Sequence, residues 1–479
     1  MKNQQVTPLL DALFTYKKNN MVSFHVPGHK NGQVFPSDKR DLFGDVLQID
    51  ATEVDGLDDL HDPEGVISEA EELLSGLYGS KKSYFLVNGS TVGNMAMIMG
   101  CCQEGDVVLV QRNCHKSVLN AIRLAKAIPV FVQPAINREW GIAEGLTLES
   151  AKEAIGEYPQ AKAIILTYPS YYGVGEACIQ EIISLAHSQG LLALVDEAHG
   201  AHFISGGPFL KSSLEYGADY VVHSAHKTLP AMTMGSYLHV GKHVGDYRKV
   251  ESILRMLQSS SPSYPIMASL DAARYFAASL TEADLFLTES MVTQFRAKLH
   301  EIEGINVLQH KSLDILKVTI QTDRTYTGYQ LQAELNRNGI YTELADPLNV
   351  LLVMPILKVG QAYNIGAAVQ AIEQAVYRLK DKAEPIKSFL APSHPERISR
   401  LEMPLDEVDK REAEYIDIKD AAGRISAATL IPYPPGIPYL LGGERITSKH
   451  IDYLEQAILH KAKIQGAAAL HEGKLLVLK

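Results

Sequence analysis

Cysteine is scarce, with four residues at positions 101, 102, 114 and 178 of 479. None of the spacings fits a paired zinc-ligand or redox motif, so the thiols read as reduced and a disulfide framework is excluded. Long apolar runs are also missing. No uninterrupted stretch approaches the ~18 residues of a membrane helix, and the opening Met1-Lys2-Asn3-Gln4-Gln5 has no apolar signal core. Positive charge is in deficit, with 45 Lys and Arg against 56 Asp and Glu and a formal net charge of −11. That balance argues against general binding to nucleic acid or to an anionic membrane. His25, His29, His61, His199 and His202 form no His-Glu-x-x-His motif, and no metal is expected. No Gly-Lys pair is followed by Ser or Thr. A phosphate loop is therefore absent, and the helicase-like spelling Asp196-Glu197-Ala198-His199 is a coincidence. A soluble cytoplasmic protein is the expectation.

The length allows about two to four domains. Residues 1–63 read as an arm with loops, in which only Pro8–Lys18 has helical spacing. Residues 64–304 alternate short β-branched runs with amphipathic helices. This predicts an α/β large domain with a mostly parallel, seven-stranded sheet flanked by helices. A smaller α+β pattern occupies 305–380, and 381–479 form a linker and a C-terminal domain. Lys380–Pro395 is the expected linker, because it is charged and contains three prolines.

In such sheets ligands gather at the carboxyl ends of the strands, so residues there carry the chemical argument. Asn88-Gly89-Ser90-Thr91 lies between a strand and a helix. Its glycine, hydroxyls and helix-start N–H groups suit a phosphate, or an ordinary N-cap. Asp196 ends a nearly pure apolar strand. Asp219–Pro230 contains another, Tyr220-Val221-Val222, followed by Ser224, His226, Lys227 and Thr228. A lysine just past a buried strand end suits Schiff-base chemistry, because partial desolvation frees its lone pair. Pyridoxal phosphate needs that lysine and an anion to keep its ring nitrogen protonated. Asp196 and Lys227 follow consecutive predicted strands and can serve one ligand. His115, at the start of another helix, can stack on a ring or cap its helix.

At these residues the chain resembles the fold-type-I pyridoxal-phosphate decarboxylases of ornithine, lysine and arginine in bacteria, in their short branch without an N-terminal wing domain. The resemblance rests on His25–Lys30, Asn88–Thr91, Arg112–Ser117, Ser224–Lys227, Ser260–Tyr264 and Pro432–Pro438. It implies that Lys227 holds the cofactor, Asp196 pairs with the pyridinium nitrogen and His115 stacks on the ring. Ser90, Thr91, Ser224 and His226 would lie at the phosphate, with Ser259 reaching it from a partner subunit. Glu343 would receive the substrate's distal cation. His199 stands where the large enzymes often carry an aromatic residue, and would lie near the cofactor. The implied protein is a homodimer that shares its active site between subunits.

The expected reaction is decarboxylation of lysine, arginine or ornithine to CO2 and a polyamine-type amine. Lys227 and His226 are both candidates to return a proton to the α-carbon. An aminotransferase is a competing enzyme reading, although it usually needs an arginine for a dicarboxylate substrate. A pyridoxal-phosphate-binding regulator without turnover is the non-enzymatic reading. The roles of Asp58 and Asp59 stay open.

Overall fold

Strand and helix alternate along the chain because β-branched runs alternate with stretches of helical apolar spacing. The computed structural model describes residues 3–19, 21–380, 396–432, 437–459 and 463–479. The expected linker beyond Lys380, and Tyr433–Gly436 of the proline-rich motif, lie outside the described residues. The chain divides into two compact units, residues 1–101 with 193–281, and residues 102–192 with 282–479.

In the first unit the strand order is Lys82–Leu86, Ser236–Val240, Tyr220–His223, Leu192–Asp196. Leu192–Asp196 and Tyr220–His223 pair in parallel. Ser236–Val240 runs antiparallel to both of its neighbours. Ala193–Val195, Val221 and Val222 are fully buried, which explains why these strands read as continuous apolar runs. The helix Gly89–Cys101 follows Lys82–Leu86 and places Ser90 and Thr91 in its first turn.

In the second unit the order is Ala163–Thr167, Val107–Gln111, Ile128–Val132, Ile398–Arg400. The first three strands are parallel, and the last is an antiparallel edge contributed from beyond residue 395. Seven of these eight strands lie between Lys82 and Val240, the number expected from the sequence. A separate antiparallel sheet has the order Ile305–Val307, Lys317–Thr322, Asn349–Val353, Leu344–Ala345. Its helix Gly328–Arg337 opens with a reciprocal capping box between Thr327 and Gln330. The C-terminal stretch pairs Ala413–Asp417 with Lys474–Leu478 and packs Leu440, Leu454 and Val477 into its own core.

Two features of the N-terminal arm differ from the sequence reading. Arg40–Ile49 is a helix, and Leu57 and Leu60 are buried although their surroundings are acidic. The arm is also tied down. Arg274, fully buried, donates to the carbonyls of Gln4 and Val6, and its partner Asp271 accepts from the N–H of Leu9 at the start of Pro8–Lys18.

Asp58 now has a role. Its carboxylate accepts from the N–H groups of Glu64, Gly65, Ile67 and Ser68 at 2.8–3.3 Å, and so caps the helix Val66–Tyr78 from a distance in sequence. Burial pushes its carboxyl up, but the N–H groups of Glu64, Asp59, Gly65 and Ser68 outweigh burial and hold it below the ordinary value. A depressed pKa gives stability that is present above the unfolded pKa and is lost as pH falls through the folded one. Asp58→Ala should therefore cost about 1–2 kcal/mol at neutral pH, the scale of a lost helix cap. Urea unfolding of both proteins checks this. The gap should close as the pH is lowered below the carboxylate range, and an unchanging gap would count against the capping role.

Candidate active site

The carboxyl ends of Leu192–Asp196 and Tyr220–His223 place Asp196 and Lys227 in the same unit. Tyr220–His223 leads into one helical turn, Ala225–Thr228, which carries His226 and Lys227. Ala225 is fully buried and anchors that turn, whereas Lys227 keeps part of its surface accessible. Lys227 Nζ lies 3.0 Å from His199 Nε2, and His199 is buried. A proton leaving the amine thus has a ring nitrogen beside it.

Asp196 is buried. It accepts from the Asn94 side-chain amide at 2.7 Å and from the Ala198 N–H at 3.2 Å. Neither donor is charged. A buried carboxylate held only by neutral donors is costly, and a cation alongside it would offset that cost. A protonated pyridine nitrogen has the required charge and shape.

The proposed phosphate cradle also comes together. Ser224 Oγ donates to Ser90 Oγ at 2.8 Å, and Thr91 is exposed one residue further along. Gly89 has φ +78°, and a Cβ there would meet nothing within 4 Å, so the turn leaves open space at the helix start. Backbone N–H groups at such a helix end suit an anion. This donor set and Asp196 together fit pyridoxal phosphate.

His226 Nδ1 is 3.0 Å from the Gly235 carbonyl, which fixes its ring against the following loop. Ser259 is exposed. Its N–H donates to Asn88 Oδ1 at 3.4 Å, so this chain's own Ser259 stands beside the cradle. Two expected residues lie in the second unit. His115 is the N-cap of Lys116–Ala125, its Nδ1 accepting from the Ser117 N–H at 3.2 Å. Glu343 is exposed and directly precedes Leu344–Ala345, at the start of that short strand.

Asn94 went unnoticed in the sequence, although it lies four residues after Ser90 and so on the same helix face. So did a buried chain next to the site. Glu197 Oε1 is 2.8 Å from His223 Nε2, and His223 Nδ1 is 3.0 Å from His239 Nε2. His239 Nδ1 meets Ser83 Oγ at 2.7 Å. Burial, and then His223 beside it, hold the His239 ring well below the ordinary imidazole pKa, so that ring is neutral.

The family model described as "Orn/Lys/Arg decarboxylase, major domain" matches residues 7–316, and its C-terminal companion matches residues 390–473. The chain belongs to the Orn/Lys/Arg decarboxylase family. It is 34% identical over 480 residues to an arginine decarboxylase of Bacillus subtilis (strain 168), covering 97% of this chain and 96% of that one. It is 46% identical to the uncharacterized protein YaaO of the same organism, with 98% of both chains covered. Among solved structures, the Francisella novicida lysine decarboxylase LdcF superposes with a TM-score of 0.83 at 20% identity. That match covers 99% of this chain and 81% of the other. The fold is that of fold-type-I enzymes, an α/β architecture with flanking helices. No helix among the described residues is long and apolar enough to cross a membrane.

Proposed function

We propose that this protein is a pyridoxal-phosphate-dependent decarboxylase of a basic L-amino acid. The reaction releases CO2 and leaves the corresponding amine. The observation that carries the reading is that neighbouring parallel strands of one unit end in Asp196, held only by neutral donors, and lead to Lys227 beside His199. When bound, pyridoxal phosphate supplies an electron sink conjugated to the substrate's α-carbon. Lys227 Nζ supplies the amine that holds it, and His199 accepts a proton from that amine. Asp196 supports the positive ring nitrogen, and Asn94 keeps the carboxylate oriented. Ser90, Thr91, Ser224 and the first N–H groups of Gly89–Cys101 bind the phosphate, with Ser259 beside them. By the resemblance, His115 would stack on the ring, and within its own unit the Ser117 N–H holds its Nδ1. Lys227 and His226 are the two groups able to return a proton to the α-carbon.

Glu343 selects substrates with a distal positive charge, because leaving such a carboxylate unpaired in a closed site is unfavourable. Its exposure in the single chain fits a site completed by a second copy, in a cytoplasmic homodimer. CO2 release from L-lysine, L-arginine and L-ornithine, measured side by side, tests the reading. At least one should be turned over, while amino transfer to a keto acid without CO2 release would overturn it. Glu343→Gln should raise KM for the preferred substrate by roughly 10- to 100-fold, the worth of a charged hydrogen bond. Cofactor affinity should stay unchanged, and equal losses of both would argue against a distal-cation role.

A further inference from the structure

The second unit contains a pocket of about 120 Å³ that none of the steps above uses. Its lining includes Tyr171, Tyr172, Tyr329 and Tyr453, with His450 and Asp346. The rings are held in place by one another. Tyr453 stacks on Tyr439 with centroids 3.9 Å apart, and Tyr439 meets His450 edge-on at 5.4 Å. Burial pushes the Tyr172, Tyr329, Tyr439 and Tyr453 phenols well above their ordinary range. They line the space as neutral rings.

The charges of the lining do not cancel. Arg112 borders the pocket, but its guanidinium faces the Glu444 carboxylate at 3.0 Å and the Pro438 and Tyr439 carbonyls at 2.8 and 2.9 Å. That buried pair is neutral as a whole. Asp346 has no such counterion. Its carboxylate accepts from the Tyr172 hydroxyl, from the Asn349 side-chain amide at 2.8 Å and from the Leu348 and Asn349 N–H groups at 2.7 Å. All of these donors are neutral, and burial raises the Asp346 carboxyl above its ordinary value, which a cation beside it would reverse. Part of Asp346 remains accessible in a pocket whose wall combines tyrosine rings with apolar side chains such as Ile136, Ile142 and Pro347. Aromatic faces with one carboxylate form the standard environment for an organic cation. The volume is that of roughly four water molecules, which suits a small head group on an alkyl stem.

We propose that this pocket binds an organic cation, an alkylammonium or alkylguanidinium head, between the tyrosine faces and the Asp346 carboxylate. The head can belong to a second molecule of the amino acid or to a separate amine, and the recognising chemistry is the same. Binding here does not depend on pyridoxal phosphate, so it stands apart from the decarboxylase reading.

Isothermal titration of the full-length holoenzyme with tetramethylammonium chloride tests the proposal, because this probe cannot condense with an aldehyde. The wild type should bind it and should not bind tert-butanol, a neutral molecule of similar shape. Asp346→Asn should weaken binding at least about tenfold. Should that variant fail to fold, Tyr453→Leu serves in its place, with thermal melting as the control. Competition by the preferred amino acid assigns the head to a second molecule of it, and indifference assigns it to a separate amine. Absence of probe binding, or equal binding of tert-butanol, overturns the proposal. CO2 release is read on the same samples. Turnover without probe binding defeats only the cation site, and probe binding without turnover from any basic amino acid defeats only the decarboxylase.

Discussion

Lys227→Ala should abolish the covalent label that borohydride reduction fixes between the protein and added pyridoxal phosphate, and CO2 release should fall by on the order of 10³- to 10⁴-fold. The magnitude is that of losing a positioned amine that also moves protons. The structural cost should be small. Lys227 is only partly buried, sits in a four-residue turn anchored by Ala225, and reaches out to His199 at 3.0 Å. Shortening it leaves His199 near its present place. The variant should therefore melt close to the wild type and still bind pyridoxal phosphate non-covalently through Ser90, Ser224 and Asp196. Mass spectrometry after reduction separates the outcomes. A label retained at full stoichiometry would show that another lysine holds the cofactor.

Much of this site was legible in the sequence because strand ends are legible. A β-branched run followed by polar residues marks where a buried strand meets the rim of the sheet, and Asp196 and Lys227 were proposed as site residues on that ground. Ser90 and Ser224 are 134 positions apart, yet each sits at such an end, and the structure joins them at 2.8 Å. What escaped notice lies off that rule. Asn94 belongs to a helix interior, where an asparagine reads as a neutral residue until its partner is known. His223 and His239 occupy strand interiors. Their pairing depends on the antiparallel register of Tyr220–His223 with Ser236–Val240, which a sequence does not display. The role of Asp58 stayed open in the sequence because its N–H partners come after an intervening turn. The alternation of helix and strand predicted the fold class, while the edge strand Ile398–Arg400 comes from a segment with no periodicity linking it to Ile128–Val132.

Asp196→Asn should separate stability from catalysis. In the wild type without cofactor, Asp196 is a buried carboxylate whose partners, Asn94 and the Ala198 N–H, are both neutral. The substitution removes that charge and keeps the shape. The amide oxygen can still accept from Asn94 or from Ala198. The cofactor-free variant should consequently melt at or above the wild-type temperature, because an uncompensated buried charge is unfavourable. Activity should move the other way. Without an anion at this position the protein would no longer hold a bound pyridine nitrogen in its protonated form, so kcat should drop by roughly 10²- to 10⁴-fold, as for other misplaced proton chemistry. KM for the basic amino acid should barely change, because the proposed role of Asp196 is toward the ring and not toward the distal cation. The wild type should also gain more stability from added pyridoxal phosphate than the variant does, since only the wild type gains a charge pair on binding. Melting curves with and without cofactor, read beside kcat and KM, test all three statements. A variant that loses stability without cofactor while keeping its turnover would remove Asp196 from the ring nitrogen and leave it a purely structural carboxylate.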